Sequence, residues 1–493
     1  MLASIRKTPH SGQLPGGRLI YAALPIGLFL YVAGVLADPL LQADEQIALG
    51  LLLLVPALLI GVYVVTRAVL GDRLGGTIIA VMCIFISAAN LRSRAYDDKS
   101  IDWQVGLKLV ALALLFAMVV VFISYAFNNR QHLGRLFYVW LLFFAGLVVS
   151  SLYAESTAFA LLCSISFFVV YLYAVYMTVW LSRMRALEIM MLVALLMCIG
   201  SIFVYFAFPS MGRMQAWMPG AVFGDTGRMK GLTGSANGIG MIAALAVVLS
   251  LLYYREFGRS GRRMAILLIP SGLACLVLSQ NRASMIAIAT AIWFASICRA
   301  NTSFKLVLSI AGALAGGALL MGFSDEIFSI LSRSGRTDEV TSMTGRSSIW
   351  AVVIELWSQR PLLGYGYTSA LSILPSIPGL FTTAAHAHNM VLELLFAGGI
   401  VLLGIFLYAT YRTFLEMYRL RAINEAAVFV FFLVRGLAEA GPFGGMTGYT
   451  SIAFAVVIAL VISKSIDAAR ATTSATRPLT VTRVAPRLRP SRI

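Results

Sequence analysis

The sequence predicts an all-α polytopic membrane protein. Of the 493 residues, 60% are hydrophobic and only 12% are charged, which is too apolar for a soluble domain with a polar surface. Apolar runs long enough to cross a hydrocarbon core of about 30 Å recur along the chain. Because three of them are short or interrupted, we expect 12–14 transmembrane helices. The runs are 19–37, 47–70, 76–91, 105–127, 136–154, 158–181, 188–208, 236–254, 264–279, 283–299, 305–323, 389–410, 425–440 and 448–464.

The formal net charge of +17 comes mainly from basic clusters that lie between the predicted spans. Arg262 and Arg263 lie in one such connection, Arg419 and Arg421 lie in another, and the C-terminal tail is rich in arginine. Cytoplasmic loops carry the excess of Lys and Arg in membrane proteins. The charge therefore predicts that both termini are cytoplasmic, and it does not indicate nucleic-acid binding.

Two connections on the outer side of the predicted bundle interrupt the close succession of spans. They are 209–235 and 324–388, and the second is the longest stretch outside the membrane. Long loops of this kind usually carry function. We therefore expect four regions: N-terminal transmembrane helices 1–208, a functional region 209–410 with the outer loop 324–388, C-terminal transmembrane helices 411–464, and a disordered basic cytoplasmic tail 465–493.

An amphipathic helix is predicted inside the outer loop, in the stretch SIWAVVIELWSQRPLLGYGY. Ile349, Val353 and Leu356 recur at helical spacing, and the pattern ends at Pro361. The helix can lie along the membrane interface or cover the transmembrane bundle, and the sequence does not choose between these positions.

Two outward-facing turns carry basic residues near the membrane boundary. Arg282 follows Asn281 between two apolar spans, and an arginine at such a depth normally faces a partner or a cavity. Arg228 and Lys230 precede GLTGSANGIG, where Asn237 enters the next span and free N–H groups can meet an anion. The alternatives are that Arg282 extends to lipid headgroups and that the glycines serve close helix packing.

Two further outer segments add polar candidates on the same side. Arg346 follows Gly345 before the amphipathic helix and offers a planar donor pair to the same anion as Arg228 and Arg282, although a solvated loop arginine is the simpler account. His386 and His388 form an HxH pair for which no third zinc ligand has convincing spacing, so we expect no metal. The five cysteines lack CxxC spacing and predict neither a metal cluster nor a disulfide framework.

His388 is the predicted catalytic group. A histidine near neutral pKa can take a proton from an attacking hydroxyl, and nearby arginine charges favour the neutral imidazole while they stabilise a departing anion. The alternative is that His388 and Asn389 only cap the following helix.

These segments together resemble those of O-antigen ligases and O-unit (Wzy-type) polysaccharide polymerases. The resemblance covers about residues 224–410 and rests on four patterns in order. They are Arg228-x-x-Gly231 followed by Asn237-Gly238, then Asn281-Arg282, then Gly345-Arg346…Trp350 with Arg360-Pro361-Leu362-Leu363-Gly364-Tyr365-Gly366, and finally His388-Asn389…Gly398-Gly399. Two positions depart from the family pattern: Ala236 stands where the family usually has proline, and Asn281 stands where it usually has serine.

The resemblance implies an inverting, metal-independent membrane glycosyltransferase without a cofactor. The donor would be an oligosaccharide on undecaprenyl diphosphate, and the acceptor would be a lipid A core sugar in a ligase or the growing glycan in a polymerase. The site would face the periplasm from the bacterial inner membrane, among membrane lipids and other proteins of polysaccharide assembly. By position, His388 matches the catalytic histidine, Arg228 and Arg282 match the arginines that hold the diphosphate, and Arg346 matches the Gly-Arg motif. Lys230, Asn237, His386 and Asn389 are supporting candidates.

A transporter or flippase of lipid-linked sugars is the alternative function. Such a protein would also need arginines for the diphosphate, but reachable from both sides of the membrane. The one-sided placement of the motifs argues against it. Arg435 and Glu439, spaced one helical turn apart in the predicted span 425–440, are the best residues for a transport role, and a structural ion pair is the simpler explanation.

Overall fold

The computed structural model describes residues 73–91, 103–128, 133–214, 227–321, 346–377 and 385–475. The chain divides into two compact units, Met1–Ile79 and Ala80–Ile493. Of the first unit only the start of one helix is described, and every residue of the candidate site belongs to the second unit.

The described residues are almost entirely helical, which confirms the predicted fold class. The long helices are α1 Arg73–Ala88, α2 Trp103–Asn128, α3 Gly134–Ser151, α4 Thr157–Tyr176, α5 Arg183–Ala207, α6 Ala236–Tyr253, α7 Arg259–Ser279, α8 Arg282–Arg299, α9 Thr302–Met321, α10 Arg346–Gln359, α11 Met390–Arg419, α12 Ile423–Gly436 and α13 Tyr449–Ala475. A π-helical turn at Met177–Leu181 continues α4, and short helical turns lie at Pro209–Gly212, Gly231–Thr233, Ala370–Ile373, Leu374–Ser376 and Gly441–Phe443. Two-residue strands, β1 Arg213–Met214 and β2 Arg228–Met229, pair antiparallel.

Nine helices in this part of the chain are long and apolar enough to cross a membrane. Twelve of the predicted spans correspond to helices, of which the one at 425–440 is shorter than predicted because α12 ends at Gly436. The predicted spans 19–37 and 47–70 lie outside the described residues, as do parts of the outer loop at 324–345 and 378–384 and most of the C-terminal tail. The orientation of the bundle remains a prediction.

An aromatic cluster holds α3, α11, α12 and α13 together beneath the site. Trp140 of α3 is fully buried, and its ring meets Phe406, Phe429 and Phe454 edge to face at 5.6–6.4 Å between ring centroids. Its indole N–H also donates to Thr413 Oγ1 at 2.9 Å. Edge-to-face packing adds to the burial of these rings, so the four helices are fixed relative to one another.

Helix α11 is broken at Gly398 and Gly399, and the segment 361–366 binds to the break. Gly399 has φ +61°, and a Cβ atom there would lie 2.2 Å from Leu362 O. Carbonyls that the break releases accept from the loop, since Tyr365 N donates to Phe396 O at 2.7 Å and Gly366 N donates to Ala397 O at 2.9 Å.

The loop also accepts hydrogen bonds in return. Ile400 N donates to Pro361 O at 2.9 Å, and the Tyr365 ring stacks on Phe396 with 4.9 Å between centroids. Unpaired backbone groups are costly in an apolar environment, so a broken membrane helix needs a partner of this kind. The RPLLGYG and glycine-pair motifs are therefore two halves of one structural joint.

Helix α10 confirms the predicted amphipathic helix. Its apolar face packs on the bundle side, where Ile349 and Val353 are buried in a cluster with Ala370, Leu374, Ala387 and Phe396. The packing supports the interpretation that this helix covers other elements of the protein, and it places the start of α10 beside the segment that precedes α11.

We expect Gly399→Ala to destabilise the protein and Gly404→Ala, a matched change in the same helix, not to do so. The left-handed conformation costs an L-residue about 1–2 kcal/mol, and the added Cβ would also collide with Leu362 O. A Cβ at Gly404 meets nothing within 4 Å, and removing a helical glycine gains about 0.5–1 kcal/mol. The unfolding midpoints of the two variants in detergent measure these effects. Equal midpoints would contradict the conclusion that the break in α11 requires glycine at position 399.

Candidate functional site

A chain of hydrogen bonds connects all four predicted motifs, and the carboxylate of Glu439 is its centre. Glu439 lies after the end of α12. Its Oε1 accepts from Asn237 Nδ2 at 2.7 Å and from Arg346 Nη2 at 2.8 Å, and its Oε2 lies 3.0 Å from His388 Nδ1. One carboxylate thus binds residues from three of the four motifs.

The Glu439 carboxylate is charged at ordinary pH. Burial raises its pKa, but the hydrogen bond from His388 and the charges of Arg435 and Arg346 outweigh burial and hold the pKa at about 2. A charged carboxylate only accepts hydrogen bonds, so we infer that Nδ1 of His388 carries a proton and donates it. In the neutral imidazole, Nε2 is then left with a lone pair that can accept a proton.

The backbone of His388 has φ +47°, a left-handed conformation that is uncommon for residues other than glycine. Asn389, the next residue, caps α11: its Oδ1 accepts from Val391 N at 2.9 Å and from Leu392 N at 3.2 Å, while its Nδ2 donates to Leu437 O at 3.2 Å. Capping therefore belongs to Asn389, whereas His388 turns its ring toward Glu439.

Asn237 and Asn281 extend the network to the first two motifs. Asn281 Nδ2 donates to the backbone oxygen of Asn237 at 3.1 Å, and Asn281 Oδ1 caps α8 by accepting from Ser284 N at 3.1 Å. Arg282 is the first residue of α8 and is half-buried. Arg228 in β2 donates from Nε and Nη2 to Ser279 O at 3.0 and 2.8 Å, at the end of α7.

Both departures from the family pattern fit their positions in the structure. Asn281 is as good a helix cap as serine. Ala236 is the first residue of α6, where proline is favoured but alanine forms helix well, and Ser235 caps this helix by accepting from Gly238 N. Neither substitution disturbs the start of a helix.

Arg435 and Glu439 do not form the helical pair that their spacing predicts, because α12 ends between them at Gly436. Arg435 is buried, with 4% exposure, and its Nε donates to Ser284 Oγ of α8 at 3.0 Å. Its charge still acts on Glu439, since it contributes to the low pKa of that carboxyl. The pair therefore forms part of the site network instead of bracing one helix.

His386 lies beside the network but makes weaker contacts. Burial and the neighbouring His388 lower its pKa to about 4, so the ring is neutral at ordinary pH. Its Nδ1 has no hydrogen-bond partner within the described part of the chain and lies 4.0 Å from Glu393 Oε1. His386 and Glu439 line a cavity of about 260 Å³ with Ser235, Asn237 and Arg435, which gives a polar ligand room beside the carboxylate.

Of the predicted site residues, the structure brings Arg346, His388 and Asn237 together on one carboxylate and places Asn389 next to them. Arg228 and Arg282 flank the turn that Asn281 ties to Asn237, and Lys230 is half-buried directly after β2. Within the described ranges, no group of three or more His, Cys, Asp or Glu side chains is placed to hold a metal ion.

Glu439 is the residue that the sequence interpretation missed as part of the site. The available signal was a carboxylate inside an apolar run, since ionisable residues at such depth usually face a functional partner.

Residues 264–407 match the family model described as O-antigen ligase. The matched stretch runs from α7 into α11 and includes Arg282, Arg346 and His388, while Asn237 and Glu439 lie outside it. No curated protein matches the chain. The family match confirms the resemblance identified from the four motifs, and with the membrane helices it supports a membrane glycan-transfer protein of the ligase and polymerase type.

We expect Glu439→Gln to lower the free energy of unfolding by about 3 kcal/mol, because it leaves the charges of Arg346 and Arg435 without their carboxylate. The pKa of Glu439 is lowered from an ordinary 4.5 to about 2, so its stabilising contribution is full above about pH 4.5 and is lost as pH falls toward 2. Unfolding by denaturant at several pH values measures the difference in the free energy of unfolding between wild type and Glu439→Gln. The control is Glu355→Gln on the exposed side of α10, and a pH-independent gap between wild type and Glu439→Gln from pH 7 down to 3 would contradict the assignment.

Proposed function

We propose that this membrane protein, which matches the O-antigen ligase family over residues 264–407, transfers a glycan from undecaprenyl diphosphate to an acceptor hydroxyl at the periplasmic face of the inner membrane. The observation that carries the proposal is the contact of His388 Nδ1 with Glu439 Oε2 at 3.0 Å, in a cluster that also holds Arg346. A carboxylate that fixes one imidazole nitrogen leaves the other as a directed base, as in hydrolytic triads.

In the proposed reaction, the acceptor hydroxyl attacks the anomeric carbon of the donor. A new C–O bond forms as the bond from that carbon to the diphosphate oxygen breaks, and attack from the opposite face inverts the centre. Nε2 of His388 takes the hydroxyl proton, and Glu439 stabilises the imidazolium that results. The electron pair of the broken bond leaves on undecaprenyl diphosphate, and no metal is required by these steps.

The leaving diphosphate needs positive charge, and Arg228 and Arg282 are the proposed donors. Both lie next to the turn that Asn281 connects to Asn237, and Arg282 begins α8, where the positive end of the helix adds to its charge. Lys230 follows Arg228 and adds to the same charge. Arg346 acts indirectly, by holding Glu439 beside His388, because its guanidinium donates to Glu439 and to Ala438 O.

Two acceptors are consistent with this proposal: a lipid A core sugar, which would make the protein a ligase, and the end of another lipid-linked glycan, which would make it a polymerase. The experiment therefore offers both acceptors separately. It uses purified protein with a synthetic undecaprenyl-diphosphate oligosaccharide in the presence of EDTA.

We expect His388→Ala to abolish transfer to whichever acceptor the wild type uses, because Nε2 of His388 is the proposed base. The matched control is His132→Ala, an equal substitution outside the four motifs, which should transfer like the wild type. Transfer by His388→Ala at the wild-type rate would overturn the site assignment. Translocation of the donor in liposomes without any transfer product would favour the flippase alternative.

We expect Arg282→Ala and Arg346→Ala to differ in which step they impair. A charge-assisted hydrogen bond contributes about 1.5–3 kcal/mol, so loss of Arg282 should weaken binding of undecaprenyl diphosphate by about tenfold or more. Loss of Arg346 should mainly lower kcat, because it releases Glu439 and leaves the diphosphate donors in place. Competition binding with undecaprenyl diphosphate and steady-state rates separate the two effects, and the reverse order of affinities would contradict these roles.

A further inference from the structure

The peptide group before His388 is held on both sides by side chains that the proposed reaction does not use, the half-buried Trp350 and the buried Glu393. The N–H of Ala387 donates to Glu393 Oε2 at 2.9 Å, and the C=O of Ala387 accepts from Trp350 Nε1 at 2.9 Å. The methyl group of Ala387 is fully buried between α10 and α11. This peptide therefore has little freedom to rotate.

The orientation of that peptide determines where the imidazole of His388 points. Rotation about the N–Cα bond of His388 is measured from the carbonyl carbon of Ala387, and it stands at φ +47°. A left-handed backbone at a residue other than glycine costs of order 1–3 kcal/mol, and it persists only where the surroundings impose it. Asn389 fixes the following residue by capping α11, so the Ala387 peptide is the other constraint.

Trp350 and Arg346 lie four residues apart on α10, so they project from the same side of the helix. Arg346 donates to Glu439, and Trp350 donates to the residue that precedes His388. One rigid helix thus locates both members of the His388–Glu439 pair. Glu393, in the first turn of α11, contributes from the opposite side and has only 4% of its side chain exposed.

We infer that Trp350 and Glu393 are positioning residues, which hold the Ala387 peptide so that Nδ1 of His388 meets Glu439 and Nε2 is presented to the acceptor hydroxyl. This inference rests on the proposed function. Neither side chain touches the reacting atoms. A displacement of about 1 Å at a catalytic group can reduce the rate about 100-fold. Loss of Trp350 or Glu393 should therefore slow the chemical step without weakening donor binding.

The first test is Trp350→Phe, which keeps an aromatic ring and removes only the N–H donor. We expect kcat to fall about 10- to 100-fold while binding of undecaprenyl diphosphate stays within twofold of the wild type. The matched control is Trp357→Phe in the same helix, whose indole donates to the backbone oxygen of Pro361 at 3.1 Å. In this control Pro361 O still accepts from Ile400 N, so the loop stays paired with α11 and the wild-type kcat should be kept.

The second test compares two substitutions of Glu393. Glu393→Gln keeps an oxygen that can accept from Ala387 N and should retain most of kcat, whereas Glu393→Met leaves that N–H unpaired and should lose it as Trp350→Phe does. Equal kcat in these two variants, or parallel losses of kcat and donor affinity in Trp350→Phe, would mean that these residues only support the fold.

The wild type and His388→Ala are measured alongside. Transfer that vanishes in His388→Ala but keeps its full rate in both Trp350→Phe and Glu393→Met overturns this inference alone. Transfer that survives His388→Ala overturns the proposed function and this inference with it.

Discussion

The arrangement of the site depends on the hydrogen bonds of one half-buried carboxylate, that of Glu439. It is only 15% exposed, and its two oxygens accept from three side chains that belong to three different parts of the chain. A charge in such a place is stable only when it is paired and hydrogen-bonded, so the folded state must bring Arg346, His388 and Asn237 to it. The need to satisfy one charge therefore fixes the relative positions of α6, α10, α11 and the segment after α12.

A second constraint comes from backbone N–H and C=O groups, because an apolar environment offers no water to which they can hydrogen-bond. The break at Gly398 and Gly399 would expose carbonyls of Phe396 and Ala397, and the segment 361–366 pairs with them. The same segment follows α10. Its pairing with α11 therefore also places α10, with Arg346 and Trp350, close to the start of α11. Backbone pairing and side-chain positioning thus rely on the same short loop.

Much of the fold could be predicted because apolar length and turn chemistry are local properties. The helices at 236, 282 and 390 begin near the predicted residues, and α10 occupies the predicted amphipathic stretch. The pairing at Glu439 could not be predicted, because its contacts span 51 residues to His388 and 202 residues to Asn237. Local spacing pointed instead to Arg435, and that prediction required α12 to continue for one more turn.

The glycine break also divides α11 into two parts that one loop ties together. The turns before the break, in which Glu393 lies, accept from the 361–366 loop through Phe396 O and Ala397 O, and the turns after it donate to the same loop through Ile400 N. A helix that crosses a bilayer tilts to match its thickness. Because the same loop bonds to residues on both sides of the glycine pair, such tilting acts on α11 as one kinked unit, and the angle between its two parts is held by the loop and not by the lipid.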